Sequence, residues 1–195
     1  MSEQSPLSLG TEDIKKLLMR YAVPAIVAMT AASLYNMMDS IFIGHGVGAL
    51  GIAGLAVTFP FINLAAAFGS LVGVGASTLV SVKMGQKDLK SAEAVLGNVL
   101  LLNTVIGFLF MTVCLIFLDP ILYFFGASAD TLPYARDYMK VILYGNLITH
   151  IYMGLNEVMR ASGYPQRAMM ATLFAVLING VLNALFIFAL DMGIK

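Results

Sequence analysis

The sequence predicts an all-α fold, a polytopic transmembrane helical bundle, and three observations carry that prediction. Of the 195 residues, 59% are hydrophobic and only 11% charged, where a soluble domain carries about 25% charged residues. The mean hydropathy is +0.88, so most of this apolar surface needs the bilayer as its solvent. The apolar residues also fall into five runs, each near the roughly 20 residues that cross a hydrocarbon core as helix.

The first run, Leu17–Ile43, carries Arg20 near its start and Asp39 near its end. The second, Gly51–Val82, has no charge and is long enough to tilt or bend, with Pro60 able to kink it by removing a backbone donor. The third, Ala94–Leu118, is also uncharged. The fourth, Tyr138–Glu157, has Lys140 and Glu157 near its ends, and the fifth is Ala168–Leu190. Residues 1–16 are polar and read as an N-terminal tail, and the first apolar stretch is too long for the core of a cleavable signal peptide.

Basic residues set the expected orientation. Eight of the eleven lie on one side: Lys15, Lys16, Arg20, Lys83, Lys87, Lys90, Arg160 and Arg167. The positive-inside rule therefore places the N-terminus in the cytoplasm and the chain in the cytoplasmic (inner) membrane. Five spans then leave the C-terminus outside. The glycine-rich segment Gly44–Gly48 is expected to turn the first helix into the second outside, and Ala161–Pro165 the fourth into the fifth inside. Phe125-Gly126-Ala127 breaks the pattern between the third and fourth spans. Residues Ala129 to Tyr138 are expected to form a short amphipathic helix on the outer surface.

Zero net charge, from 11 basic and 11 acidic residues, excludes a broad basic face for nucleic acid. The lone Cys114 has no intrachain partner and reads as a small hydrophobe facing lipid or a neighbouring helix. There is no phosphate loop, GxSxG, HExxH or cysteine cluster, and His45 and His150 are far apart, so neither enzyme chemistry nor a cofactor is expected.

Polar residues inside the spans are the informative ones. An intramembrane carboxylate costs about 2.5–3.5 kcal/mol by insertion scales and normally faces protein or a watery cavity. Asp39 lies some 33 Å along its helix from Leu17, at 1.5 Å per residue, in the outer half close to the interface, where it reads either as an interfacial carboxylate touching water or as a proton- or cation-binding group in an outward cavity. Tyr35 and Asn36, four and three residues earlier, share its helix face. Asn179 and Asn183 form an i, i+4 pair on the fifth run, with Asn183 about 22 Å from that helix's cytoplasmic end. Asn183 and Asp39 thus both fall in the outer half and can line one cavity, or the asparagine pair can simply join helices. Asn146 and His150 repeat the i, i+4 spacing, and Asn63 and Asn103 read as interhelical hydrogen bonders. Gly69 and Gly73 make a GxxxG step that permits close helix approach. Met37 and Met38 offer an adaptable surface, or ordinary packing.

Three segments together resemble the multidrug and toxic compound extrusion (MATE) family, most closely its DinF-like branch. They are Tyr35-Asn36-Met37-Met38-Asp39 after Pro24, Met159-Arg160-Ala161-Ser162-Gly163-Tyr164-Pro165-Gln166, and Leu177–Phe188 with Asn179 and Asn183. The second is similar to the family's LRxxGxPxx connection and the third to its NxxxD stretch. The resemblance implies a multidrug efflux antiporter that exchanges amphipathic or cationic compounds for protons or sodium. It implies that Asp39 binds the coupling ion and that Tyr35, Asn36, Asn179 and Asn183 line the substrate cavity. Many members carry Asp where Asn183 stands, which weakens an inference of sodium binding. Members have twelve helices in two lobes, so this chain is expected to be an incomplete N-terminal lobe, either a fragment or a truncated product, whose partner is the missing C-terminal lobe. Alternatives are a lipid-linked oligosaccharide flippase of the same superfamily, disfavoured because no basic residue lies mid-membrane, and a non-transporting membrane subunit.

Overall fold

Long uncharged runs leave the backbone no partner in lipid but itself, so helix is the required outcome. A computed structural model describes residues 13–46 and 48–185. Among these there are six helices: α1 (Ile14–Gly46), α2 (Ala49–Gly85), α3 (Leu89–Ile116), α4 (Leu118–Phe124), α5 (Leu132–Ala161) and α6 (Pro165–Ala184). The described part of the chain has no strand. Four helices, α1, α2, α3 and α6, are long and apolar enough to cross a membrane, and the chain is a multi-pass membrane protein. The expected continuation of the fifth span, residues 186–190, and the tail residues 1–12 lie outside the described residues.

Helix ends depart from the apolar runs because hydrogen bonding continues into polar flanks until a capping residue stops it. Residues 14–16, expected in the tail, already belong to α1. At the other end α1 absorbs Gly44, His45 and Gly46 of the expected glycine-rich turn, and Gly48 takes φ 91°; Val47 lies outside the described residues. Three other stops share one geometry. Gly126 and Gly163 take φ 98° and 91°, and Lys87 takes φ 61°. In each case the next amide bonds the carbonyl five residues back: Asp88 to Lys83 at 2.9 Å, Ala127 to Leu122 at 2.9 Å, Tyr164 to Met159 at 3.2 Å. This left-handed cap satisfies terminal carbonyls. Asp88 then caps α3, accepting from the Ser91 amide at 3.1 Å. Its hydrogen bonds to Ser91 hold the Asp88 carboxyl below the usual carboxylate range.

The expected amphipathic helix at 129–138 is displaced. The short helix is α4, seven residues long and beginning eleven residues earlier, and residues 132–138 are instead the first turns of α5. Ser128 and Thr131 explain this. The Ser128 amide donates to Thr131 Oγ1 (2.9 Å) and the Thr131 amide to Ser128 Oγ (3.3 Å), starting α5 with Pro133 in its first turn.

The core sits between α2, α3 and α5, with α5 central. Met139 and Leu143 of α5 are fully buried with Leu122 of α4, beside Phe61 and Cys114. Deeper along α5 the core turns polar: Thr58, Asn103, Asn146 and His150 are all buried. His150 Nε2 donates to the Ala65 carbonyl of α2 at 3.1 Å, which assigns the ring proton to Nε2. The GxxxG step serves this contact. A Cβ on Gly69 would meet His150 Cδ2 at 2.8 Å, and one on Gly73 would meet Gly154 Cα at 2.7 Å. Asn103 packs against the same Gly154, but neither of its amide atoms has a hydrogen-bond partner among the described residues. It fills the helix interface without bonding across it. Asn63 departs from its expected interhelical role, because its amide bonds Phe59 O of its own helix at 2.9 Å. By contrast, α1 buries only Pro24 and Ile43 and packs chiefly along α6.

Candidate functional site

A carboxylate three-quarters of the way along an apolar helix needs donors from its neighbours. Asp39 obtains one from α6. Asn183 Nδ2 on α6 donates to Asp39 Oδ1 at 2.9 Å and to the Tyr35 hydroxyl at 3.3 Å. The Tyr138 side chain, near the start of α5, neighbours the same carboxylate. Tyr35, Asp39, Asn183 and Tyr138 are each half-buried. Asp39 makes no ion pair among the described residues. Its charge is therefore met by an amide, with the phenols of Tyr35 and Tyr138 nearby, rather than by a cation.

Two expected cavity residues are not part of this cluster. Asn179 is exposed, and its amide donates to the Ala175 carbonyl of its own helix at 2.9 Å. Asn36 is exposed as well, and its carbonyl accepts from Ser40 Oγ at 2.9 Å. Met37 and Met38 are likewise exposed. Helical geometry accounts for the split at α1. Tyr35 and Asn36 flank Asp39 about 100° apart on the helix surface, and α6 covers only the Tyr35 side. Tyr138 went unremarked in the sequence because it is far from Asp39 along the chain and has no spacing relation to any polar partner.

The site gathers one titratable carboxylate and three groups that can donate or, for the phenols, also accept. Such a set can bind or release a proton, or hold a small cation beside the carboxylate, while keeping α1, α5 and α6 in contact. Among the described residues, no group of three histidine, cysteine, aspartate or glutamate side chains could hold a metal ion. At the opposite end of the bundle a second network ties α5 to α6. Asn156 Nδ2 donates to the Ala168 carbonyl (3.1 Å), and Arg160 Nη2 donates to Asn156 Oδ1 (2.9 Å) and Glu157 Oε1 (3.0 Å).

The chain is similar to known transporters along nearly its whole length. The family model MatE matches residues 24–185. The multidrug export protein MepA of Staphylococcus haemolyticus (strain JCSC1435) is 27% identical over 194 residues, covering 100% of this chain and 43% of that protein. MepA of Staphylococcus aureus (strain MRSA252) is 27% identical over 179 residues, covering 92% and 40%. Among solved structures, a MATE crystal structure in the bent conformation superposes with a TM-score of 0.88 at 28% identity, covering 97% of this chain and 42% of that one. An outward-facing multidrug resistance MATE transporter of the MOP superfamily gives 0.87 at 28%, covering 94% and 40%. The chain thus spans about two fifths of the length of the curated relatives it matches.

Proposed function

Because the chain belongs to the MatE family, we propose that it supplies the first half of a multidrug efflux antiporter, with Asp39 as the coupling residue. The antiporter exports amphipathic or cationic compounds in exchange for an inward ion, and the chain lies in the cytoplasmic membrane with its N-terminus in the cytoplasm. The observation that carries this reading is the Asn183 amide of α6 bridging Asp39 and Tyr35 of α1, on a carboxylate that has no ion-pair partner among the described residues.

Proton coupling fits these groups better than sodium coupling. Asp39 Oδ1 faces the Asn183 amide nitrogen, a donor, where a sodium ion takes oxygen ligands. When Asp39 is ionised it accepts from Asn183 and holds α6 against α1. When it binds a proton it loses its charge and presents a donor of its own, so the charge-assisted hydrogen bond from Asn183 is lost. Such bonds are worth about 1.5–3 kcal/mol, enough to bias a two-state helix arrangement by tenfold or more. A cationic substrate and a proton then compete for the same negative charge, which is the requirement for exchange. No bond is made or broken beyond the proton transfer. A lipid-linked oligosaccharide flippase is served less well, because the site presents a carboxylate and would repel a pyrophosphate.

Everted vesicles carrying the full-length transporter test the proposal. A proton gradient should drive dye efflux with the native chain, and Asp39→Asn should reduce that efflux at least about tenfold, as expected from losing an interaction of 1.4 kcal/mol or more. Gradient-driven efflux that survives the substitution would remove Asp39 from the coupling role. Efflux that follows an imposed sodium gradient and ignores pH would replace the proton with sodium.

A further inference from the structure

On the face of α5 turned away from Asp39, a second group of charges surrounds a cavity. The chain leaves α3 at Ile116, makes the short α4, and enters α5. Asp119, in the first turn of α4, accepts from Arg136 Nε at 2.7 Å and forms a second bond with Arg136 Nη2. A cavity of about 340 Å³ opens beside this pair, walled by Leu115, Ile116 and Pro120 and by Asp119, Arg136 and Lys140. Arg136 and Lys140 are one turn apart, so both cations address the same space. Lys140 is exposed and makes no ion pair among the described residues. Among the lining residues two cations face one acid, with Asp137 next to Arg136 outside the wall. Ile116, 68% exposed, faces the surroundings on the apolar side.

We propose that this cavity binds the phosphodiester headgroup of an anionic membrane lipid. Its depth agrees, because the apolar run of α3 ends at Leu118 and that of α5 begins at Tyr138, which puts the cavity at the level of the headgroups. Lys140 pairs with the phosphate as a point charge. Arg136 is engaged by Asp119 through Nε and Nη2, which leaves Nη1 with two hydrogens for a phosphate oxygen. The glycerol and the first acyl methylenes lie against Leu115 and Ile116. A free phosphate ion uses the cations but has nothing to place on those apolar walls, which is why a lipid is the better occupant. Asp119 acts as a positioning residue, fixing the guanidinium at the rim.

Native mass spectrometry of the purified protein in detergent doped with phosphatidylglycerol or phosphatidylcholine tests this. The native chain should retain phosphatidylglycerol in preference to phosphatidylcholine. Lys140→Gln should cut retention about fivefold, the expected effect of one basic residue at an anionic lipid surface, and Lys140→Arg should restore it. Lys90→Gln, at the opposite end of the bundle, should leave retention unchanged. Unchanged retention in Lys140→Gln, an equal loss in Lys90→Gln, or no preference for phosphatidylglycerol in the native chain would each overturn the site. Displacement of the lipid by inorganic phosphate at equal concentration would overturn the lipid assignment. None of these results depends on efflux.

Discussion

Gly73 and Gly75 stand two residues apart on α2 and make opposite demands, so substituting each with alanine isolates the α2–α5 contact. A Cβ at Gly73 would stand 2.7 Å from Gly154 Cα, 3.1 Å from Gly154 O and 3.2 Å from Glu157 Cβ. The first two are backbone atoms, which no rotamer change can withdraw, so the helices must part. Overpacking of this kind costs about 1–3 kcal/mol. A Cβ at Gly75 meets nothing within 4 Å. Both substitutions gain the same helix propensity, about 0.8–1.0 kcal/mol, and this cancels in the comparison. Gly75→Ala should therefore be neutral or stabilising, and Gly73→Ala should be less stable than Gly75→Ala by about 1–3 kcal/mol. Reversible unfolding in mixed micelles reads the difference directly, and the fraction remaining monodisperse after heating gives the same ranking. Equal stability of the two variants would mean that α2 and α5 do not approach closely at Gly73, and the packing described for the core would be wrong.

Other outcomes follow from single contacts. Asn156→Ala removes the donor to the buried Ala168 carbonyl and the acceptor for Arg160; it should cost about 1–3 kcal/mol in the same unfolding measurement. Tyr138→Phe removes only the hydroxyl beside Asp39. It should slow gradient-driven efflux severalfold and lower stability by no more than about 1 kcal/mol. Asp88 gives a pH signature. Its folded-state carboxyl is held below its ordinary range by Ser91, so its contribution to stability is present above the unfolded value and disappears as pH falls through the lower, folded one. Asp88→Asn keeps the cap without a titrating group and should flatten that acid-side loss in melting temperature, whereas Asp88→Ala should be less stable than either at neutral pH.

Apolar run length and turn chemistry made most of the bundle legible. Gly126 and Gly163 were readable as breaks because only a residue tolerant of positive φ ends a helix that way. Lys87 was not readable, since it takes the same conformation without the residue type that advertises it. The start of α5 was missed because hydropathy tracks lipid contact, whereas helix initiation there is decided by the Ser128–Thr131 exchange. At the site, depth placed Asp39 and Asn183 in the same half of the membrane and allowed one cavity between them, while their hydrogen bond itself is visible only in the structure. Asn36 and Asn179 show the limit of that logic. Spacing places residues on one face of their own helix, and the rotation of the neighbouring helix decides which of them it covers. Tyr138 lay beyond reach for the complementary reason that its partner is across the bundle.

The central position of α5 has a consequence for how the protein is made. Asn146, His150 and Asn156 face inward from this helix, and α5 is absent from the helices apolar enough to cross a membrane by composition among the described residues. A segment of this kind gains little by leaving the translocation channel into lipid alone. His150 finds its surroundings against Ala65 of α2 and Gly107 of α3, both of which emerge from the ribosome earlier, whereas Asn156 bonds Ala168 of the later α6. Biogenesis is thereby ordered along the chain: α2 and α3 must wait as a paired template in the bilayer, and α5 is admitted by them rather than by the lipid.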